Sequence, residues 1–279
     1  MSQPAREPAV PTAYRDPGGV AVAHIDTGVN YTLPAIAAGL ARDGEGELIG
    51  YDFHDDDLKP FDARPGDTRP RPQRHGTLVA SILLREAPGV RLIPLRYKAK
   101  APPSFAQALA FAARSPARIV MMSLGSAKAA DWALFERALT QLPDLLVVVS
   151  AGNDGRDLDR TPLYPASLKR PNLLVVTAAN PDGSLPASAN WGRNTVDVSV
   201  PAEGVQALNF DGAKVRVSGS SFAVPRVAAL AARIEAARPN VSVPALRAAV
   251  VREAVANPTG RDSRLRAGFI ADPARPYRR

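Results

Sequence analysis

The chain of 279 residues has no cysteine, so neither a disulfide framework nor a thiol nucleophile can be proposed for it. Aromatic residues are 6% of the composition, too sparse for an obvious base-stacking platform, and no recognised nucleic-acid motif is present. The net charge of +8 comes mainly from scattered arginines that thicken near the end of the chain, at Arg261, Arg264, Arg266, Arg275, Arg278 and Arg279. Dispersed charge of this kind reads as a solvated surface biased towards acidic partners, and no nucleic-acid partner is expected. No apolar run approaches the length that spans a bilayer, so no membrane partner is expected either. Residues 1–18 are polar and proline-containing, without the basic start and apolar stretch of a secretory signal, and a cytoplasmic location is the default expectation. Histidine is scarce, with three in all, and no His-Glu-x-x-His segment or paired metal-ligand spacing occurs.

What is present is an alternation of apolar runs and amphipathic segments. Val20 to Ile25 reads as a strand buried on both faces, and Val90 to Leu95, Ile119 to Leu124, Leu145 to Ser150, Leu173 to Ala178 and Val196 to Val200 as further strands. Between and after them, helices are expected from Thr77 to Leu84, from Ser104 to about Arg114, from Ala130 to Leu142, from Val224 to Arg238 and from Ala245 to Ala256. Ser104 with Gln107 has the spacing of a capping box, and Pro239 and Asn257-Pro258 are stop signals. The segment from Asp52 to Gln73, rich in Asp, Pro and Arg, reads as a surface loop. The expected fold is α/β with three layers, a doubly wound, mostly parallel sheet with helices on both faces. It forms one domain over residues 19–279, preceded by a flexible lead-in over residues 1–18.

Three short segments carry the chemistry: Asp26-Thr27-Gly28, His75-Gly76-Thr77 and Gly219-Ser220-Ser221-Phe222-Ala223. In order they supply an acid, an imidazole and a hydroxyl, the parts of an activated serine. Taken singly, each has an ordinary structural reading: a turn at Asp26, a structural imidazole at His75, and a helix N-cap at Ser221. Their joint occurrence is what points to chemistry. All three histidines, His24, His54 and His75, precede Ser221, which excludes the order Ser, acid, His of the α/β-hydrolases and leaves Asp, His, Ser. Asp26 also closes a buried strand, where open α/β sheets place their ligands. The other two histidines carry less: His24, two residues before Asp26 on the same strand, reads as a packing residue, and His54 lies in the acidic loop.

On these segments the chain resembles the subtilisin-like serine peptidases, the subtilases. The resemblance extends to Met121-Met122-Ser123-Leu124-Gly125, to Ser150-Ala151-Gly152-Asn153-Asp154-Gly155, and through Tyr164-Pro165-Ala166 to Gly268-Phe269. It implies a serine endopeptidase acting on a polypeptide substrate, with Ser221 as nucleophile, His75 as general base and Asp26 as the group orienting the imidazole. Asn153 would donate its amide to the developing oxyanion together with the backbone N–H of Ser221. Ser123, Leu124 and Gly125 would pair with the substrate backbone, and Gly152 and Ala166 would lie near the primary specificity pocket.

Departures from the family pattern are Leu78, Ser81, Ser220, Phe222, Met121 and Arg226, and none removes a catalytic group. Between Ala80 and Val90 the chain lacks the Asn-containing loop that often holds calcium in the family. No cofactor or metal is therefore expected, although Asp52, Asp55, Asp56 and Asp57 could bind calcium weakly if they are not simply a solvated loop. Asp55 to Asp57 could also favour a basic side chain near the scissile bond. Two further readings stand beside hydrolysis: a transpeptidase or macrocyclase, in which an amine resolves the acyl-enzyme, and a non-catalytic peptide-binding module. The sequence leaves the oligomeric state open.

Overall fold

All six residues of Ala21–Asp26 (β1) are buried, as an apolar run must be when both faces of its sheet are covered. In the computed structural model, which describes residues 7–63, 74–256 and 264–277, β1 lies inside a parallel sheet. The other strands of this sheet are Tyr51–Asp52 (β2), Arg91–Arg96 (β3), Ile119–Met122 (β4), Leu146–Ser150 (β5), Leu173–Ala179 (β6), Val198–Pro201 (β7) and, later in the chain, Gly268–Phe269. A separate antiparallel hairpin pairs Val205–Leu208 (β8) with Lys214–Val217 (β9). With Gly268–Phe269 as β10, the main sheet has the order β10-β7-β6-β5-β4-β1-β3-β2. The order reverses direction on either side of β1, the place where a doubly wound sheet opens a crevice at its carboxyl ends.

Among the described residues six helices accompany the strands: Pro34–Ala37 (α1), His75–Glu86 (α2), Pro103–Arg114 (α3), Ala133–Gln141 (α4), Ser220–Ala237 (α5) and Val243–Arg252 (α6). Alternate strand residues feed two cores. Val22, Leu92, Met121, Val148 and Val176 pack with Val79 and Ile82 of α2 and with Val224 and Val227 of α5. On the other face, Ile25, Ile93, Val120, Val147 and Val175 pack with Leu109 of α3 and Phe135 of α4. The expected three-layer α/β architecture is thus the observed one. His24 and Asp26 share the parity of Val22, so both belong to the face covered by α2 and α5.

Several element boundaries differ from expectation. α3 begins at Pro103 and has no side-chain cap; Ser104 lies inside it and its Oγ accepts from Lys98 N–H at 3.2 Å. The capping box fails because the helix starts at Pro103, whose fixed φ suits the first position, and Ser104 is then inside the first turn rather than at the cap. The segment expected as one helix from Ala130 starts as a 3-10 turn, Ala129–Trp132, before α4. α5 starts four residues earlier than expected, with Gly219 in the cap position. α6 ends at Arg252, and the stop signal Asn257-Pro258 lies outside the described residues.

The largest differences concern residues 7–18 and the acidic loop. Residues 7–18, expected as a flexible lead-in, are tied to the domain: Pro8 O accepts from Tyr31 Oη, Pro11 O from Arg42 Nη2, and Asp16 from Arg42 N–H and Arg91 Nε. The loop from Asp52, expected on the surface, turns inward at Asp52 and again at Asp62, which are 0% and 2% exposed. Arg96, at the end of β3, explains the first turn. Its Nη1 lies 2.6 Å from Asp52, 2.9 Å from Asp55 and 3.4 Å from Glu7. These three carboxylates converge closely enough for a metal, but the cation they enclose is a guanidinium. Asp56 accepts from Tyr51 Oη and Asp57 from Lys59 N–H. The tail of the loop, residues 64–73, is outside the described residues.

Burial and the nearby Asp52 charge outweigh Arg96 at Glu7 and push its carboxyl up to about 7. A carboxyl with a raised folded-state pKa is ionised at a cost in the native state, so stability falls as pH rises from the unfolded value towards 7. Glu7→Gln should therefore match the wild type in thermal unfolding at pH 4 and exceed it at pH 8, by about 2 °C or more. Equal melting temperatures at both pH values would contradict this role for Glu7.

Candidate active site

The fold brings the first two motifs into direct contact at the carboxyl end of β1. The third stands beside them through the Phe222 ring against His75 and the Ser221–Ser123 bonds, its Ser221 hydroxyl bonding Ser123 O rather than His75. Asp26 ends β1, His75 opens α2, and Ser221 lies in the first turn of α5. Contact between the first two motifs depends on Gly76. A Cβ there would fall 1.9 Å from Gly28 O, so only glycine lets the turn after Asp26 and the start of α2 touch.

His75 Nδ1 is 2.9 Å from Asp26 Oδ1 and 3.0 Å from Oδ2. An ionised carboxylate only accepts, so Nδ1 carries the proton and Nε2 is left with a lone pair. Asp26 is 2% exposed. Burial would raise its pKa, but the charge and hydrogen bond of His75 win and hold it below the usual carboxylate range. Burial would likewise depress His75, and here the Asp26 charge and hydrogen bond, with a contribution from Asp62, win and raise it. The imidazole is still 29% exposed, open on one edge to a ligand, and the Phe222 ring packs beside it with centroids 5.7 Å apart. His24, expected as a packing residue, is buried with Nε2 donating to Gly76 O at 3.1 Å. Burial lowers its pKa and keeps it neutral behind the site.

The hydroxyl of Ser221 donates to Ser123 O at 3.4 Å, while the Oγ–H of Ser123 donates back to Ser221 O at 2.9 Å. The second bond follows from the sequence. Pro225 stands four residues after Ser221 inside α5 and has no N–H to give to the Ser221 carbonyl. Ser123 supplies the missing donor, and so ties the end of β4 to the start of the helix that carries Ser221.

Asn153 is exposed, and its Oδ1 accepts from Ser220 N–H at 2.8 Å. This satisfies one of the free N–H groups at the helix start and ties Asn153 to the residue before Ser221. Ser220 in turn bonds Ser150 Oγ at 2.7 Å and accepts from Gly152 N–H at 3.1 Å. Asn190, not singled out by the sequence, holds the same loop from beneath. Its Oδ1 accepts from Asp154 and Arg156 N–H, and its Nδ2 donates to Ala151 O. An asparagine between two turn segments carries no pattern that marks this role beforehand.

Leu124 and Gly125 follow Ser123 out of β4, and Gly125 and Gly152 both lie beside Leu163. A Cβ on Gly125 or Gly152 would lie 3.6 or 2.7 Å from Leu163 Cδ2. Leu163 is therefore the side chain they share. Ala166, expected near this pocket, is 2% exposed and packs in the apolar core. Of the acidic residues expected to attract a basic substrate side chain, Asp55 is paired with Arg96, while Asp56 and Asp57 accept from Tyr51 Oη and Lys59 N–H. Arg226, one of the departures from the family pattern, pairs with Glu86 at 3.0 Å.

Comparison with known proteins adds sequence and fold relationships. The model of the subtilase family matches residues 18–268. A thermophilic serine proteinase from Bacillus sp. (strain AK1) is 32% identical over 231 residues, covering 77% of this chain and 51% of the relative. A cell wall-associated protease from Bacillus subtilis (strain 168) is 28% identical over 234 residues, covering 79% of this chain and 24% of the relative. The chain thus spans about half or less of the length of these two relatives. Among solved structures, a cold adapted subtilisin-like serine proteinase superposes with a TM-score of 0.74 at 24% identity, covering 92% of this chain and 89% of that one. A lanthipeptide protease gives 0.72 at 22% identity, covering 93% and 88%. At these identities the structural matches speak for the fold alone.

Proposed function

Since the chain belongs to the subtilase family, we propose that it is a serine endopeptidase whose substrate is a polypeptide and whose reacting groups are Ser221, His75 and Asp26. The observation that carries this reading is the His75–Asp26 pair, with Nδ1 2.9 Å from a buried carboxylate. It fixes the tautomer that leaves Nε2 ready to take a proton.

In the reaction, Ser221 Oγ attacks the scissile carbonyl carbon as Nε2 of His75 removes its proton, and the carbonyl oxygen becomes an oxyanion. The Asn153 amide and the Ser221 backbone N–H receive that charge. The imidazolium, stabilised by Asp26, then protonates the leaving amine, and the acyl-enzyme remains. Water, deprotonated by the same His75, adds to the acyl carbon, and collapse returns Ser221 and the free acid. The substrate lies extended along Ser123 to Gly125, pairing through its backbone. Incubation with a peptide library and mass analysis of the products tests this reading. Cleaved pairs bearing one added water support hydrolysis; products joined to an added amine identify transpeptidation; no conversion overturns the peptidase assignment.

Leu163, beside both Gly125 and Gly152, limits the space for a substrate side chain there. The enzyme should favour small side chains just before the scissile bond, and Leu163→Gly should raise kcat/KM for a phenylalanine there about tenfold relative to alanine. An unchanged ratio of the two substrates would remove Leu163 from the pocket.

A further inference from the structure

Asp62 lies ten residues into the segment that reads as a polar loop, yet it is 2% exposed. Its backbone is clamped by the bridge between Val29 and Phe61 and by Asp62 N–H donating to Val29 O at 3.3 Å. Its carboxylate accepts three hydrogen bonds. Thr27 Oγ1 donates to Oδ1 at 2.5 Å, and Thr77 gives Oδ2 its Oγ1–H at 2.5 Å and its N–H at 2.8 Å.

The direction of these bonds is settled by counting protons. Thr27 Oγ1 accepts from Gly76 N–H at 2.9 Å, and Thr77 Oγ1 accepts from Asn30 N–H at 2.9 Å. Each hydroxyl has a single proton, and Asp62 is where it goes. A proton added to Asp62 would leave one hydroxyl or amide proton without an acceptor. Thr27 directly follows Asp26, and Thr77 follows His75 by two residues. One buried carboxylate therefore bonds both motifs at once.

We propose, resting on the peptidase reading above, that Asp62 is a positioning residue: its carboxylate locks the turn bearing Asp26 to the helix start bearing His75 and so sets the geometry of that pair. Asp62 is also a second negative charge behind the imidazole. The titratable groups acting with His75 are Asp26 and His24 on β1 and Asp62; Tyr97, just after β3, lies near the two carboxylates, which with burial raise its pKa. His24 is neutral, so the two carboxylates act on His75 in the same direction. Burial, with some repulsion from Asp26, pushes Asp62 up to about 7 despite its three donors, so above that pH the charge is present.

Asp62→Asn keeps the shape but removes the charge and turns an NH2 group towards donors. Three results are expected. Turnover falls by about tenfold or more, within the range that small misplacements of reacting groups produce, while KM stays within about twofold. The acid limb of the kcat/KM profile moves to lower pH, because His75 loses a charge that favours its protonated form. In a Ser221→Ala background, NMR titration of His75 shows the same downward shift without reference to activity. If Asp62→Asn fails to fold, Thr27→Val should lose turnover and Thr27→Ser should recover most of it.

Wild-type kcat with an unmoved acid limb in Asp62→Asn, or equal kcat for Thr27→Val and Thr27→Ser, would overturn the positioning role while leaving the peptidase reading intact. Peptide cleavage that persists in Ser221→Ala alone would instead overturn that reading and this proposal with it.

Discussion

Ser221→Ala lowers turnover on peptides about 10⁶-fold, and adding His75→Ala to it costs little more. The two groups act as one unit: without the hydroxyl there is nothing for His75 to deprotonate, and without the base the hydroxyl stays a poor nucleophile. The fold should hardly notice the loss of the Ser221 hydroxyl. Its hydrogen bond to Ser123 O is long, at 3.4 Å, and a bond of ordinary strength contributes only about 1 kcal/mol net. The bond that ties α5 to β4 uses the Ser221 carbonyl and survives the substitution. His75→Ala is the less clean variant, because it leaves the buried Asp26 carboxylate without the Nδ1–H donor it accepts from. Thermal unfolding alongside single-turnover kinetics separates the effects. A Ser221→Ala variant that is folded yet within tenfold of wild type would exclude Ser221 as the nucleophile.

Asn153→Ala should lower kcat by about 10²–10³ with little change in KM, since its donor meets charge that exists only in the transition state. The structure gives this asparagine a second task. Its Oδ1 accepts from Ser220 N–H, so alanine also strips a cap from the start of α5, with a stability cost of about 1 kcal/mol. Asn153→Asp separates the two. Aspartate keeps the acceptor, and the helix N-terminus favours its charge, so stability holds. The same charge opposes the developing oxyanion, so activity should fall at least as far as in Asn153→Ala. An Asn153→Asp variant with wild-type kcat would show that this amide never meets the reacting oxygen.

Much of the site was legible because its parts sit at predictable places in a doubly wound sheet. β1, β4 and β5 are continuous apolar runs, and the motif residues Asp26, Ser123 and Ser150 mark or follow their ends. The order of the motifs then identified which residues to bring together, and the fold brings Asp26 and His75 to 2.9 Å. What stayed hidden depends on contacts between distant segments. Asp52 and Asp62 look like surface residues in a stretch rich in Asp, Pro and Arg. Arg96 draws in the first, and the hydroxyls of Thr27 and Thr77 the second, and neither attraction leaves a local pattern. Leu163 escaped notice for a similar reason, because an apolar residue in a turn carries no sign of facing two glycines 38 and 11 residues away. The hairpin of β8 and β9 was missed because its strands are short and mostly exposed or half-buried, so their alternation is weak.

Fluorophosphonate labelling of the purified protein, beside its Ser221→Ala and His75→Ala variants, tests the assignment most directly. Such a probe phosphonylates only a serine whose hydroxyl is activated, so it reads the nucleophile and its base without any assumption about substrate. The predicted result is stoichiometric labelling of the wild type, mapped to Ser221 by peptide mass, with both variants unlabelled although folded. Labelling that persists in Ser221→Ala, or a folded wild type that never reacts, would contradict the account.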